Sequence, residues 1–276
     1  MPSQAVKRIN RILRFCDRFI ECINQVGLHN AVTIFSFVIP GPDAKKCIRI
    51  DGRRFFFFPK SDKGVLTHLY KPGYRINGDV RLIFDIGANI GDETLRFRSL
   101  HPGARIVAVE ASSRNYALLR ENFSEDGNID LVHGALWCST GPLALSSGPN
   151  FEAYHVGGSR SEPYPGQSSQ VVTQGYSVSD LLEKLDLSGR RIDVFKIDVE
   201  GAEEFIFTKG DTRWLDLVNV IVMEIPDCER LGSFQKIISH FIGMNIWGNS
   251  YVSGENYVFI RQGCQFELDE VIGLGR

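Results

Sequence analysis

Beyond Gly78 the chain alternates short β-branched runs with helical stretches, the signature of βαβ units and a parallel sheet. No other feature constrains the fold as much, because strands linked through crossover helices are buried on both faces. The predicted strands are residues 81–85, 105–110, 129–133, 192–198, 218–224, 244–248 and 257–261, with helices at 92–99, 113–123, 179–185, 202–208 and 234–243. Only the polar stretch 249–256 joins the last two strands, which leaves no room for a crossover helix, so that pair should be antiparallel. The expected class is α/β. Residues 146–169, rich in Gly, Ser, Pro and Tyr without periodicity, read as a surface loop or as a lid over a site.

A chain of 276 residues has room for one such domain, at residues 77–276, and an extension at 1–76. In the extension Val6, Ile9, Leu13, Cys16, Ile20 and Ile23 recur at helical spacing, and Lys7, Arg11, Arg14 and Arg18 repeat on the other side. Such a helix packs on the protein's own body or a twin subunit, or lies on an anionic membrane surface. Asp51-Gly52, between apolar runs, predicts a hairpin. The four residues Phe55 to Phe58 cannot all face one side of a strand, so the hairpin should be covered. A formal charge of -2 gives no global basic field and disfavours nucleic acid as a partner. The 6 scattered cysteines lack metal-ligand spacing and read as reduced, mostly buried thiols. No signal-like segment opens the chain, and the longest apolar run, 31–40, falls far short of the roughly 20 residues that span a bilayer. The expected location is cytoplasmic.

Ligands of open α/β sheets bind at the carboxyl ends of the strands, and four predicted strands end in an acid: Asp85, Glu110, Asp198 and Glu224. The turn from Asp85 to Gly91 places Gly87 and Gly91 where dinucleotide loops let backbone approach a ligand, but has Asp85 where those loops have glycine. A carboxylate there repels a pyrophosphate seated on the next helix. An adenosine without phosphate and with two cationic groups suits the rim better, and S-adenosylmethionine is that ligand. Glu110 would accept from the ribose hydroxyls, Asp85 would serve the amino-acid end directly or through water, and Gly87, Ala88 and Asn89 would supply backbone contacts. In the run from Lys196 to Glu200, Lys196, Asp198 and Glu200 alternate and share a face if the strand persists. The plainer reading pairs Lys196 with a capping Asp198 or Glu200 and leaves Glu203 and Glu204 solvated.

With DIGANIGDET, VAVEAS, FKIDVEGAEEFIF and VIVMEIP in this order over residues 80–226, the chain resembles FkbM-family S-adenosylmethionine-dependent methyltransferases. The resemblance implies a class I, Rossmann-like methyltransferase fold with a seven-stranded sheet and an antiparallel last strand. It also implies O-methylation of a hydroxyl on a sugar, glycan or other small molecule. The positions matching the family's cofactor loop are Asp85, Gly87, Asn89 and Gly91, with Glu110 for the ribose; Ala88, Ala111, Gly134 and Ala135 complete the expected cofactor set. Two departures are Ala111-Ser112 after Glu110, where the family has Pro, and Phe205-Ile206-Phe207 where it has a leucine-rich helix.

Methyl transfer to an alcohol needs alignment of the nucleophile and removal of its proton. Asp198 is the first candidate base; Lys196 orients it, or takes the proton itself if burial depresses its pKa. His155 is a second candidate. Glu200, Glu224, Ser159 and Tyr154 are candidate substrate contacts. Asp198, Glu200 and Glu224 offer hard oxygen ligands, yet the spaced acid and Asn set of metal-dependent methyltransferases is missing, so no metal is expected. Two other readings stand beside this one: a nicotinamide-dependent oxidoreductase, and a non-catalytic cofactor-binding scaffold that docks a partner through residues 1–76.

Overall fold

The computed structural model of the chain describes residues 4–70, 72–147, 154–156, 170–199, 201–224, 232–254 and 256–272. The extension contributes α1 (Gln4–Val26), α2 (Leu28–Ile34), the hairpin β1 (Lys46–Ile50) and β2 (Arg53–Phe57), a 3-10 turn at Val65–Leu69, and β3 (Pro72–Asn77). The repeat then begins with β4 (Leu82–Ile86), α3 (Asp92–Leu100), β5 (Arg105–Glu110), α4 (Ser113–Phe123) and β6 (Ile129–His133). A small excursion follows, made of β7 (Ala135–Leu136), β8 (Gly141–Ser147), β9 (Tyr154–Val156) and β10 (Gln170–Tyr176). The chain returns through α5 (Val178–Lys184), β11 (Ile192–Ile197), α6 (Glu203–Thr208), β12 (Val218–Glu224), α7 (Ser233–Met244), β13 (Trp247–Ser253), β14 (Asn256–Arg261) and β15 (Glu267–Ile272).

Seven of these strands form one sheet in the order β13-β14-β12-β11-β4-β5-β6. β6, β5, β4, β11 and β12 are parallel, while β14 is antiparallel to both its neighbours. The order turns around at β4, with β5 on one side and β11 on the other, which opens a crevice at their carboxyl ends. Alternation along each strand divides the core. Ile83, Ala108, Val194 and Val222 face a layer built from α3, α4 and the extension. Phe84, Val109, Phe195 and Met223 face α5, α6 and α7. Every residue of β4 is buried, as a central strand covered on both faces requires.

The extension shares its core with the sheet. Cys22, Ile34, Phe55, Phe57 and Leu66 are buried in the same cluster as Ile83 and Val194. Phe55 and Phe57 point inward, Phe55 edging Phe123 of α4 at 6.4 Å, and Asn122 bonds both the N–H and the C=O of Phe56. The hairpin is covered, as four successive Phe residues demand. β3 runs across the expected boundary at residue 76 and pairs antiparallel with β15, register Asn77↔Glu267 to Pro72↔Ile272.

Three expectations are corrected. The segment 146–169 lies partly in strands: β9 pairs with β8, and β8 with β10, in a four-stranded sheet ordered β7-β10-β8-β9. Its short strands carry Gly and Ser and show no clean alternation. The polar stretch 249–256 is mostly strand as well, because β13 is an edge whose residues face water and need no apolar partner. Of the five described cysteines only Cys22 is buried; Cys16 is exposed and Cys47, Cys138 and Cys264 are half-buried. Among the described residues no helix is long and apolar enough to cross a membrane.

Candidate functional site

The carboxyl ends of β4, β5, β11 and β12 lie side by side. Asp85 is in register with Ala108 on one neighbour and Lys196 on the other, and Lys196 with Val222. Side chains repeat every second residue, so Asp85, Lys196, Glu110 and Glu224 all leave the same face of the sheet. Asp85 and Glu110 therefore meet on adjacent strands.

Asp85 is fully buried. Its Oδ2 accepts from Thr94 Oγ1 at 2.6 Å, and its Oδ1 faces Lys196 Nζ at 3.4 Å. Lys196 Nζ also donates to the Gly87 carbonyl at 3.3 Å. Burial opposes the Lys196 charge, but the carboxylates of Asp85 and Asp198 outweigh it and push its pKa up. The possibility of Lys196 as a neutral base is thereby corrected: it stays an ammonium that orients its neighbours. Burial pushes the Asp85 carboxyl up, with Lys196 and Thr94 pulling it back. Asp85 is thus enclosed between Lys196 and Thr94.

The turn between β4 and α3 uses its amides internally. Gly87 and Ala88 N–H both donate to the Val109 carbonyl at 3.0 Å, and Gly91 N–H donates to Ala88 at 2.8 Å. Asn89, with φ 51°, donates its N–H to Glu110 Oε2 at 2.9 Å. Glu110 Oε1 accepts from Ser112 N–H at 2.7 Å, and burial pushes the carboxyl up to about 7. The first turn of α3 carries Asp92 and Glu93. The amides of Gly87, Ala88, Asn89 and Gly91 are thus taken by protein acceptors. The expected role of the glycines is corrected too. A Cβ on Gly87 would lie 1.9 Å from the Asp198 carbonyl oxygen, and one on Gly91 would lie 2.3 Å from the Phe123 ring. Both glycines let the protein pack on itself.

On the far side of the crevice, β11 ends at Ile197 and the chain continues through Asp198, whose N–H donates to Ile86 at 3.1 Å. Asp198 is half-buried, and among the described residues no hydrogen bond reaches its carboxylate. Glu203 accepts from the N–H groups of Val199 at 3.0 Å and Gly201 at 2.9 Å, and so closes this turn. Burial pushes Glu203 up to about 7. Glu204 is held by Lys236 at 2.8 Å and Ser233 at 3.1 Å. The expectation of solvated acids on α6 fails: both are buried and tie α6 to the turn before it and to α7.

Beside Glu110, Ala135 and Leu143 are buried, with Ala111 and Trp137 packed against them as an apolar wall. Gly134 is closed off on its Cβ side by the Gln174 carbonyl, 2.6 Å from an added Cβ. Glu224 ends β12 on the face of Lys196. His155 and Tyr154 are on β9, the outer strand of the small sheet, about three strand spacings or 14 Å from β7. Ser159 and Glu200 lie outside the described residues. Among the described residues no group of His, Cys, Asp and Glu is arranged to hold a metal ion.

Sequence reading missed the contacts that the extension makes with the first turns of α3. His68, in the 3-10 turn of the extension, meets Asp92 Oδ2 through Nδ1 at 2.6 Å, with its side chain 44% exposed. Burial opposes its charge, but Asp92 outweighs that and pushes His68 up to about 9. Glu93 pairs with Arg96 at 3.0 Å, and the Arg96 guanidinium lies 4.4 Å from the centre of the Tyr74 ring. The Tyr74 hydroxyl is buried with no hydrogen-bond partner among the described residues. Asp92 and Glu93 were visible as acids opening a helix, whereas nothing around His68 or Tyr74 marks them in sequence.

A parallel sheet that reverses its order beside the first strand and ends in one antiparallel strand is the class I, Rossmann-like methyltransferase fold. The chain belongs to the FkbM methyltransferase family, whose model, the methyltransferase FkbM domain, matches residues 85–250. It is similar to methyltransferase sdnD of Sordaria araneosa, 30% identical over 169 residues that cover 51% of this chain and 65% of that protein. It is also similar to methyltransferase 1 of Beauveria bassiana, 27% identical over 174 residues that cover 56% of this chain and 68% of the other. The solved structure of methyltransferase FkbM from Methylobacillus flagellatus KT aligns at 11% identity with a TM-score of 0.44, over 66% of this chain and 44% of that one. The chain thus spans less than two thirds of the sdnD protein's length.

Proposed function

We propose that the protein is an S-adenosylmethionine-dependent O-methyltransferase whose acceptor is a hydroxyl on a sugar, glycan or other small molecule. The observation that carries the reading is the chemistry of the rim. The amides of Gly87, Ala88, Asn89 and Gly91 are taken by protein acceptors, and Glu110 ends β5 at the carboxyl edge of the sheet. Such a rim favours a ligand that donates: two ribose hydroxyls and an ammonium beside a sulfonium. A nicotinamide dinucleotide, whose pyrophosphate needs donors, is opposed by the same observation.

Glu110 would hold the ribose through the lone pairs left by Asn89 and Ser112, and the wall of Ala111, Ala135 and Trp137 would take the adenine. Bound there, S-adenosylmethionine supplies an electrophilic methyl group. Lys196, locked by Asp85 and Gly87, stands beside Asp198 at the mouth of β11. Asp198 would take the acceptor's proton as the new bond forms. The formal charge of -2 agrees with a small acceptor and speaks against a polyanionic one.

Isothermal titration tests the reading directly: S-adenosylmethionine and its homocysteine product should bind, and failure of both to bind rejects it. Because burial raises Glu110 to about 7, its ionised form should be needed to accept both hydroxyls. Affinity should therefore climb as pH rises from 6 to 8, approaching about tenfold per unit on the acid side. The Glu110→Gln variant should bind more weakly and lose this dependence; a wild-type affinity flat with pH removes Glu110 from the ribose. For the base, Asp198→Asn should lower kcat by roughly 10²–10⁴-fold with the cofactor Kd unchanged. Undiminished turnover in a labelled-methyl assay takes the role away from Asp198.

A further inference from the structure

Twelve large apolar side chains are exposed among the described residues, and eight of them fall within residues 12–39. Scattered exposed leucines mean little, but a concentration on one segment marks a contact surface. On α1 the inner row, Phe19, Cys22, Ile23 and Val26, packs into the core, yet the apolar arc continues around the helix through Ile12, Leu13 and Ile20. These three are each more than half exposed, as are Val38 and Ile39. α1 crosses the following segment where Phe15 and Phe19 edge Phe35 at 5.4 and 5.2 Å. Ile12 lies about one turn before that crossing on α1, and Val38 three residues beyond Phe35.

Charge identifies the occupant. Lys7, Arg8, Arg11, Arg14 and Arg18 against Asp17 and Glu21 give residues 1–40 a net charge of +3, in a chain whose total is -2. The remaining 236 residues carry -5. The basic segment of an otherwise acidic protein is therefore also the one with the exposed apolar groups, its cations repeating along the other side of the α1 sequence, as in interfacial amphipathic helices. A second copy docking through the same face would set +3 against +3, which disfavours a symmetric dimer. A surface of anionic lipid headgroups over hydrocarbon satisfies both properties at once. We infer that α1 and the segment to Ile39 dock the protein peripherally on an anionic membrane surface. The 3-10 turn bearing His68 packs against α1. The inference needs no acceptor identity and stands apart from the methyl-transfer reading.

Co-sedimentation of the full chain with phosphatidylcholine vesicles, with and without phosphatidylserine, tests it. Binding should rise about tenfold or more with the anionic lipid and fall with added salt. It should be lost in the double variant Leu13→Asp, Ile20→Asp, whose unchanged thermal midpoint would show that the fold is intact. Arg14→Glu with Arg18→Glu should lose the lipid preference without touching the apolar row. No sedimentation, or equal sedimentation with neutral vesicles, overturns the inference. So does a wild-type dimer, seen by light scattering, that the Asp variants split, since a second copy would then own the face.

Discussion

Lys196→Met should lower unfolding stability by about 3–5 kcal/mol, the range for removing one partner of a buried ion pair. The ammonium sits among Asp85, Asp198, Glu93 and Asp92, all of which favour its charge. Without it, Asp85 keeps only the Thr94 hydroxyl in a fully buried position. A carboxyl whose folded pKa is raised above its unfolded value weakens the fold once pH exceeds the folded pKa. It ceases to do so below the unfolded one. Burial already raises Asp85 in the native protein, so the loss in Lys196→Met should shrink as pH is lowered toward the ordinary carboxylate range. The double variant Asp85→Asn, Lys196→Met should recover most of it at neutral pH, because no charge is then left without its partner. Urea denaturation at two pH values measures all three. If the double variant is no more stable than Lys196→Met alone, the pair is not what holds these strand ends.

Gly87→Ala should be at least as damaging, and for a different reason. With φ at 74°, a side chain costs about 1–2 kcal/mol before any contact is counted. The added Cβ would then sit 1.9 Å from the Asp198 carbonyl oxygen, a backbone atom with no rotamer to yield. β11 must move away from β4, lengthening the 3.1 Å bond from Asp198 N–H to Ile86 and displacing Asp198. Both the denaturation midpoint and cofactor binding should fall. Gly103→Ala and Gly127→Ala, where an added Cβ meets nothing within 4 Å, are the matched controls and should be near neutral. A Gly87→Ala protein with wild-type affinity would show that the turn tolerates the shift.

Asp85 and Glu110 show how far sequence reading reaches into the site. That both crown neighbouring strands on one face was legible, because strand period and the order of a βαβ repeat follow from local patterns. What each acid does was not. Asp85 was read as a ligand contact, and is sealed between Lys196 and Thr94. Gly87 and Gly91 were read as room for a ligand, and make room for Asp198 and Phe123. Glu203 and Glu204 were read as solvated, and are buried in the turn and against α7. In each case the deciding neighbour lies on another element, and burial reverses the meaning of a charged or small residue.

The sequence alone determined the alternation of strand and helix, the antiparallel final strand and the acids at the strand ends. These are set by hydrophobic period and by links too short for a crossover. Only the tertiary structure decided that His68 would pair with Asp92, that β3 would close on β15, and that the loop amides would turn inward. Those arrangements join residues as far as 200 positions apart. Their free energy comes from burial and pairing in the assembled fold, and no local pattern in the chain records it.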